Sequence, residues 1–221
     1  LKKRVRQNQN KNKADLTAKK VEMKKLLDLY KAAEYSACIV LAKELVQNYP
    51  RLPAIYHLLG AAHHLKNNYE DAAVAFMKVT ELSPKNKEGF NNLGLALYHQ
   101  GKLNAAEAAF TKVLRLDPLD SSAFFNLGNT QRDKGKVDEA IKLYNQAIDA
   151  NPSNSNAYYN IGNIYHDLNK FEDAIEAYDG AIRLNPKHFK AHCNKAITLR
   201  AMTNYEEALI ALDRALVINP S

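Results

Sequence analysis

Histidine, cysteine and asparagine are the side chains whose spacing in this 221-residue sequence invites a chemical reading. His57, His63 and His64 crowd one short stretch, and His188 and His192 stand one helical turn apart. A metal centre would need further His, Cys, Asp or Glu at ligand spacing. The residues between His188 and His192 are Phe189, Lys190 and Ala191, without the glutamate of a metalloprotease helix. No metal ion or other cofactor is therefore expected. Cys193 has Lys190 and Lys195 nearby, and neighbouring cations would lower a thiol's pKa. An inert small thiol is the favoured reading. There is no glycine-rich phosphate loop and no nucleophile elbow. The chain is not expected to be an enzyme. The asparagines differ, because Asn92, Asn126, Asn160 and Asn194 recur at intervals of 34 residues. A carboxamide both donates and accepts, so such a series can pair with the amide and carbonyl of an extended peptide without reading its side chains.

The elements that must position these asparagines follow from the same interval. Pro50, Pro84, Pro118, Pro152, Pro186 and Pro220 are each 34 residues apart. With this proline at position 32, units begin at Lys19, Pro53, Lys87, Ser121, Ser155 and Phe189. Position 8 reads Gly60, Gly94, Gly128, Gly162 and Ala196, and position 20 reads Cys38, Ala72, Ala106, Ala140, Ala174 and Ala208. Position 4 carries Tyr56, Phe90, Phe124 and Tyr158, and His192 falls on it too. Position 24 carries Phe76, Phe110, Tyr144, Tyr178 and Leu212. Positions 4, 7, 8 and 11 share one face of a first helix, A, while 20, 24, 27 and 28 share one face of a second, B. Small residues at 8 and 20 should let the axes of A and B approach closely. Proline at 32 stops helix B. Asp117, Asn151, Asn185 and Asn219 before it suit a helix end, and Gly101 and Gly135 suit turns. One hairpin cannot bury its own apolar faces, whereas stacked neighbours can.

This pattern resembles the tetratricopeptide repeat (TPR) family, strongly over residues 53–220 and weakly over 19–52. The expected fold is an all-α, right-handed α-solenoid of helix-turn-helix hairpins. Its expected organisation is a basic polar tail or helix start over 1–18 and a degenerate capping repeat over 19–52. Five repeats would follow at 53–86, 87–120, 121–154, 155–188 and 189–220. The first repeat is read as a cap because Glu22 and Lys25 make its outer helix polar.

The resemblance also implies that the A helices line a concave surface, into which positions 2, 5, 6, 9, 12 and 13 point. The expected peptide-binding residues there are Asn92, Asn126, Asn160 and Asn194, with Asn129, Asn163, Phe125, Tyr159, Tyr98, Arg132 and Lys190. The asparagine series is similar to the ladder lining the repeat superhelix of O-GlcNAc transferase. The competing reading is that these asparagines cap or bridge neighbouring helices, or are simply solvated. A chaperone-type carboxylate clamp is rejected. Asn129, Asn160 and Lys190 match its pattern, but Phe125 and Asn194 replace two of its cations.

Composition bounds the rest. Apolar residues make up 46% and charged residues 25% of the chain, as in globular proteins. No apolar run approaches the ~20 residues that span a bilayer. Two cysteines exclude a disulfide scaffold and fit a reducing, cytoplasmic setting. The net charge of +7 is concentrated in residues 1–31, with eleven basic and three acidic side chains. That stretch reads as a solvated tail and first helix. It has no interleaved aromatics before Lys25, so no nucleic-acid partner is expected.

The absence of an initiator methionine points to a longer parent chain. So do Leu209, Leu212 and Leu216, an apolar face with nothing after it. The expected function is a non-catalytic scaffold for extended peptide segments. Two alternatives remain: a substrate-recruiting module of a glycosyltransferase- or sulfotransferase-type enzyme, and a module that self-associates end to end through its uncapped C-terminal face.

Overall fold

The computed structural model describes residues 19–220, and among them every regular element is an α-helix. Residues 19–31 are helical (α1). They are followed by α2 (Tyr35–Asn48), α3 (Pro53–Leu65), α4 (Tyr69–Leu82), α5 (Lys87–His99) and α6 (Leu103–Leu116). Then come α7 (Ser121–Asp133), α8 (Val137–Ala150), α9 (Ser155–Asp167), α10 (Phe171–Leu184), α11 (Phe189–Ala201) and α12 (Tyr205–Ile218). The basic stretch 1–18 lies outside the described residues. Among the described residues no helix is long and apolar enough to cross a membrane. The fold is an all-α solenoid of paired helices. It divides into two compact units, one ending at Lys112 and one starting at Val113, with the division inside α6.

Each helix starts and stops for a local reason. The A helices α5, α7, α9 and α11 are capped by Asn86, Asp120, Asn154 and His188. Their side chains accept from the amides of Gly89, Ala123, Ala157 and Ala191 at 3.0, 3.0, 3.2 and 3.2 Å. Pro53 opens α3 from inside the first turn, where its missing amide costs nothing. Helices α4, α8 and α10 lack a side-chain cap but carry acidic pairs in the first turn, Glu70–Asp71, Asp138–Glu139 and Glu172–Asp173, which answer the helix dipole.

At the B-helix ends, the residue before proline closes a local turn. The Oδ1 atoms of Asp117, Asn151 and Asn185 accept from the amides of Leu119, Ser153 and Lys187, two residues on. Between A and B the chain turns through left-handed backbone at Ala33, Asn67, Gly101, Gly135, Asn169 and Thr203, with φ of 59°, 59°, 72°, 76°, 58° and 62°.

The packing adds what the small residues at position 8 accommodate. The glycines there make room for the ring at position 24 of their own repeat. A Cβ on Gly60, Gly94, Gly128 or Gly162 would meet Phe76, Phe110, Tyr144 or Tyr178 at 2.8, 2.5, 2.6 or 2.6 Å. All four rings are fully buried, so each fills the notch that its glycine leaves. In the last repeat the ring is replaced by Leu212, and Ala196 takes the glycine's place. Within the first unit α2 packs on α3, α3 on α4 and α4 on α5; within the second, α7 through α12 pack each on the next. Position 4 bolts neighbouring repeats together. Tyr56 OH donates to the Pro50 carbonyl at 3.1 Å, and His192 Nε2 donates to the Pro186 carbonyl at 3.1 Å. A carbonyl oxygen only accepts, so Nε2 of His192 carries its proton.

Candidate functional site

The middle turns of the A helices carry most of the candidate side chains, and Lys190 stands in the first turn of α11. In the second unit these lie on α7, α9 and α11. Two asparagine pairs form there, each between one A helix and the next. Asn160 Nδ2 on α9 donates to Asn129 Oδ1 on α7 at 2.8 Å. Asn194 Nδ2 on α11 donates to Asn163 Oδ1 on α9, also at 2.8 Å. A tyrosine from the intervening B helix completes each cluster. Tyr144 OH on α8 donates to Asn129 Oδ1 at 2.8 Å, and Tyr178 OH on α10 donates to Asn163 Oδ1 at 3.0 Å. Burial pushes the Tyr178 phenol far up, so it stays a protonated donor. Asn160 is 8% exposed, while Asn129, Asn163 and Asn194 are half-buried.

Phe125 and Tyr159 pack against the two tyrosines. Phe125 lies tilted against Tyr144, with ring centres 5.8 Å apart, and Tyr159 lies 6.1 Å from Tyr178 and 4.9 Å from His188. Tyr159 OH accepts from Asn194 Nδ2 at 3.2 Å. The Arg132 guanidinium is turned onto its neighbour Asp133, 3.0 Å away. Lys190 and Arg200 are exposed on α11. Asn126 is half-buried on α7, and its backbone carbonyl accepts from Thr130 Oγ1 at 2.8 Å. Asn92 and Tyr98 belong to the first unit, on α5, where both are half-buried and Tyr98 meets His99 edge-on at 5.6 Å.

The tyrosine hydroxyls are the members that sequence reasoning missed, because Phe and Tyr at position 24 count alike as apolar rings. The signal was nevertheless present. Where position 24 is Tyr144 or Tyr178, position 9 is Asn129 or Asn163; where it is Phe76, Phe110 or Leu212, position 9 is Ala61, Leu95 or Ile197. The hydroxyl and its acceptor come and go together.

The remaining candidate chemistry resolves into structure. Lys195 is paired with Asp179 at 2.6 Å, and burial pushes the Cys193 thiol up. His188 is a helix cap whose Nδ1 accepts an amide. His63 is buried, with Nδ1 3.5 Å from Asp71, and burial pulls its pKa down. Among the described residues no three His, Cys, Asp or Glu side chains group to hold a metal ion. At the end of the second unit α11 and α12 form an apolar cleft of about 540 Å³, lined in part by Ile197, Arg200, Tyr205, Leu209 and Leu212. Leu209, Leu212 and Leu216 are 62%, 43% and 52% exposed.

A protein-family model described as tetratricopeptide repeat matches residues 67–121, 91–155, 125–188 and 159–221. No curated relative matches. Among solved structures, MamA protein is 26% identical, with a TM-score of 0.64 over 76% of this chain and 92% of that one. YrrB, reported as a TPR protein with an unusual peptide-binding site, is 20% identical, with a TM-score of 0.59 over 81% and 93%. PilF of Pseudomonas aeruginosa is 14% identical, with a TM-score of 0.75 over 93% of each chain.

Proposed function

This chain belongs to the tetratricopeptide repeat family, and from that premise we propose that it is a non-catalytic scaffold whose α7–α9–α11 face holds extended peptide segments by their main chain. The observation that carries the reading is the pair of asparagine clusters. Asn160 and Asn194 do bridge neighbouring helices, yet each bridge spends only one end of each carboxamide. The other ends, Oδ1 of Asn160 and Asn194 and Nδ2 of Asn129 and Asn163, are engaged by no described residue. Amide hydrogen-bonding capacity repeated from helix to helix is what a main chain needs and what a packed core does not. Asn126 and Arg132 extend the proposed site within the second unit, Phe125 and Tyr159 supply apolar contact, and Lys190 favours acidic residues near one end; Asn92 and Tyr98, on α5 of the first unit, are proposed as peptide contacts of that unit by itself. A cytoplasmic location belongs to the same reading. YrrB, as reported, is a case of peptide binding by this fold; at 20% identity it bears on the fold alone.

The test is selection of peptides from a random display library against the folded chain, followed by anisotropy titration. Replacing Asn129→Ala, Tyr144→Phe, Asn163→Ala and Tyr178→Phe together copies the Ala61 and Phe76 pairing already used in the second repeat, so no hydroxyl is orphaned. Loss of at least tenfold in affinity with unchanged helicity supports the reading, and unchanged affinity ends it.

One observation favours a second reading, self-association: the exposed leucines and cleft of α11 and α12. A contiguous apolar surface of this kind marks interaction sites.

A further inference from the structure

Resting on the peptide-binding reading, we infer that the ligand lies on the second unit as a polyproline-II segment, one residue in three meeting an asparagine pair. Two observations lead there, the polarity of the pairs and their pitch.

The polarity follows from the hydrogen bonds beneath each pair. Asn129 Oδ1 accepts from both Tyr144 OH and Asn160 Nδ2, and Asn163 Oδ1 accepts from both Tyr178 OH and Asn194 Nδ2. A carbonyl oxygen has two lone pairs, so in this arrangement both oxygens are saturated. Each pair therefore offers one donor, Nδ2 of Asn129 or Asn163, and one acceptor, Oδ1 of Asn160 or Asn194. That is the complement of one carbonyl and one amide. The sense is the same in both pairs, since the residues recur at equivalent places. Tyr144 and Tyr178 are thus positioning residues.

The pitch selects the conformation. The pairs bridge successive A helices, α7 to α9 and α9 to α11, and α9 and α11 pack directly on each other. Packed helices lie roughly 8–10 Å apart. A β-strand advances about 3.3 Å per residue and alternates its edges at every residue, so three residues on its amide faces away. A polyproline-II helix has three residues per turn and advances about 9.3 Å in that turn, so the same amide returns at the next pair. It makes no internal hydrogen bonds, which leaves its amides available. Phe125 and Tyr159 lie beside the pairs and give proline rings the aromatic contact they pack on. Proline is then tolerated at two residues of three and excluded where an N–H must reach Asn160 or Asn194.

The experiment compares two labelled peptides of equal length by anisotropy, (Pro-Pro-Ala)6 and (Pro-Ala)9. They present a free N–H at every third and every second residue. The expected result is at least tenfold tighter binding of (Pro-Pro-Ala)6. That preference should be lost on N-methylation of its alanines. It should shrink severalfold in Tyr144→Phe with Tyr178→Phe, where helicity is retained. Equal binding of the two peptides, or a preference that survives N-methylation, overturns the inference. If library-selected peptides bind in an asparagine-dependent way while (Pro-Pro-Ala)6 does not, the inference falls and the peptide-binding reading stands. If no peptide binds, both fall.

Discussion

Six residues at the same place between paired helices hold left-handed backbone, yet only two of them are glycine. Gly101 and Gly135 adopt this conformation freely, Asn67 and Asn169 tolerate it, and Ala33 and Thr203 pay for their Cβ. Thr203→Gly and Ala33→Gly are expected to stabilise the chain by about 1 kcal/mol each, and Gly135→Ala to destabilise it by a similar amount. Urea unfolding of the three variants checks this. Titration belongs to the same scale. Burial holds His63, His64 and His188 below the usual histidine value of 6.5. The unfolded chain then binds protons first, so stability is complete above that value and is lost as the pH falls through the depressed folded values. The melting temperature should drop between about pH 7 and about pH 5. His188→Asn should flatten the drop, because the Asn86 and Asn154 caps do the same work without titrating.

Elements are joined here by matched pairs, each of which makes sense only with its partner. Gly128→Ala drives a Cβ to 2.6 Å from the fully buried Tyr144 ring and should cost about 2 kcal/mol. In a Tyr144→Leu background, which copies Ala196 with Leu212, the same change should turn favourable by about 1 kcal/mol, the helix propensity of alanine over glycine. A double-mutant cycle from chemical denaturation reads the sign change. Most of the helical phasing was legible in the sequence, because proline at position 32 and small residues at 8 and 20 mark helix ends and buried faces directly. What faces the glycine was not. Positions 20 and 24 share one face of helix B, and only the crossing geometry decides which side chain reaches the notch. The candidate site was half legible for a similar reason. The asparagine interval shows in the sequence, but whether an amide points at solvent or at a tyrosine on another helix depends on packing that no interval encodes.

At the scale of the whole molecule, each repeat buries one face and leaves another for its neighbour, so stability accumulates from one repeat interface to the next. Such a face is exposed on α12. If self-association uses it, mass measured by light scattering should rise with concentration and Leu212→Glu should abolish the rise. A mass that stays monomeric across the range removes that reading. The peptide-binding claim is tested most directly by the side-chain NH2 resonances of Asn129 and Asn163 in a heteronuclear NMR titration with a library-selected peptide. The account predicts that both shift and saturate together with the anisotropy signal. Resonances of these two side chains that stay in place while the peptide binds would contradict it.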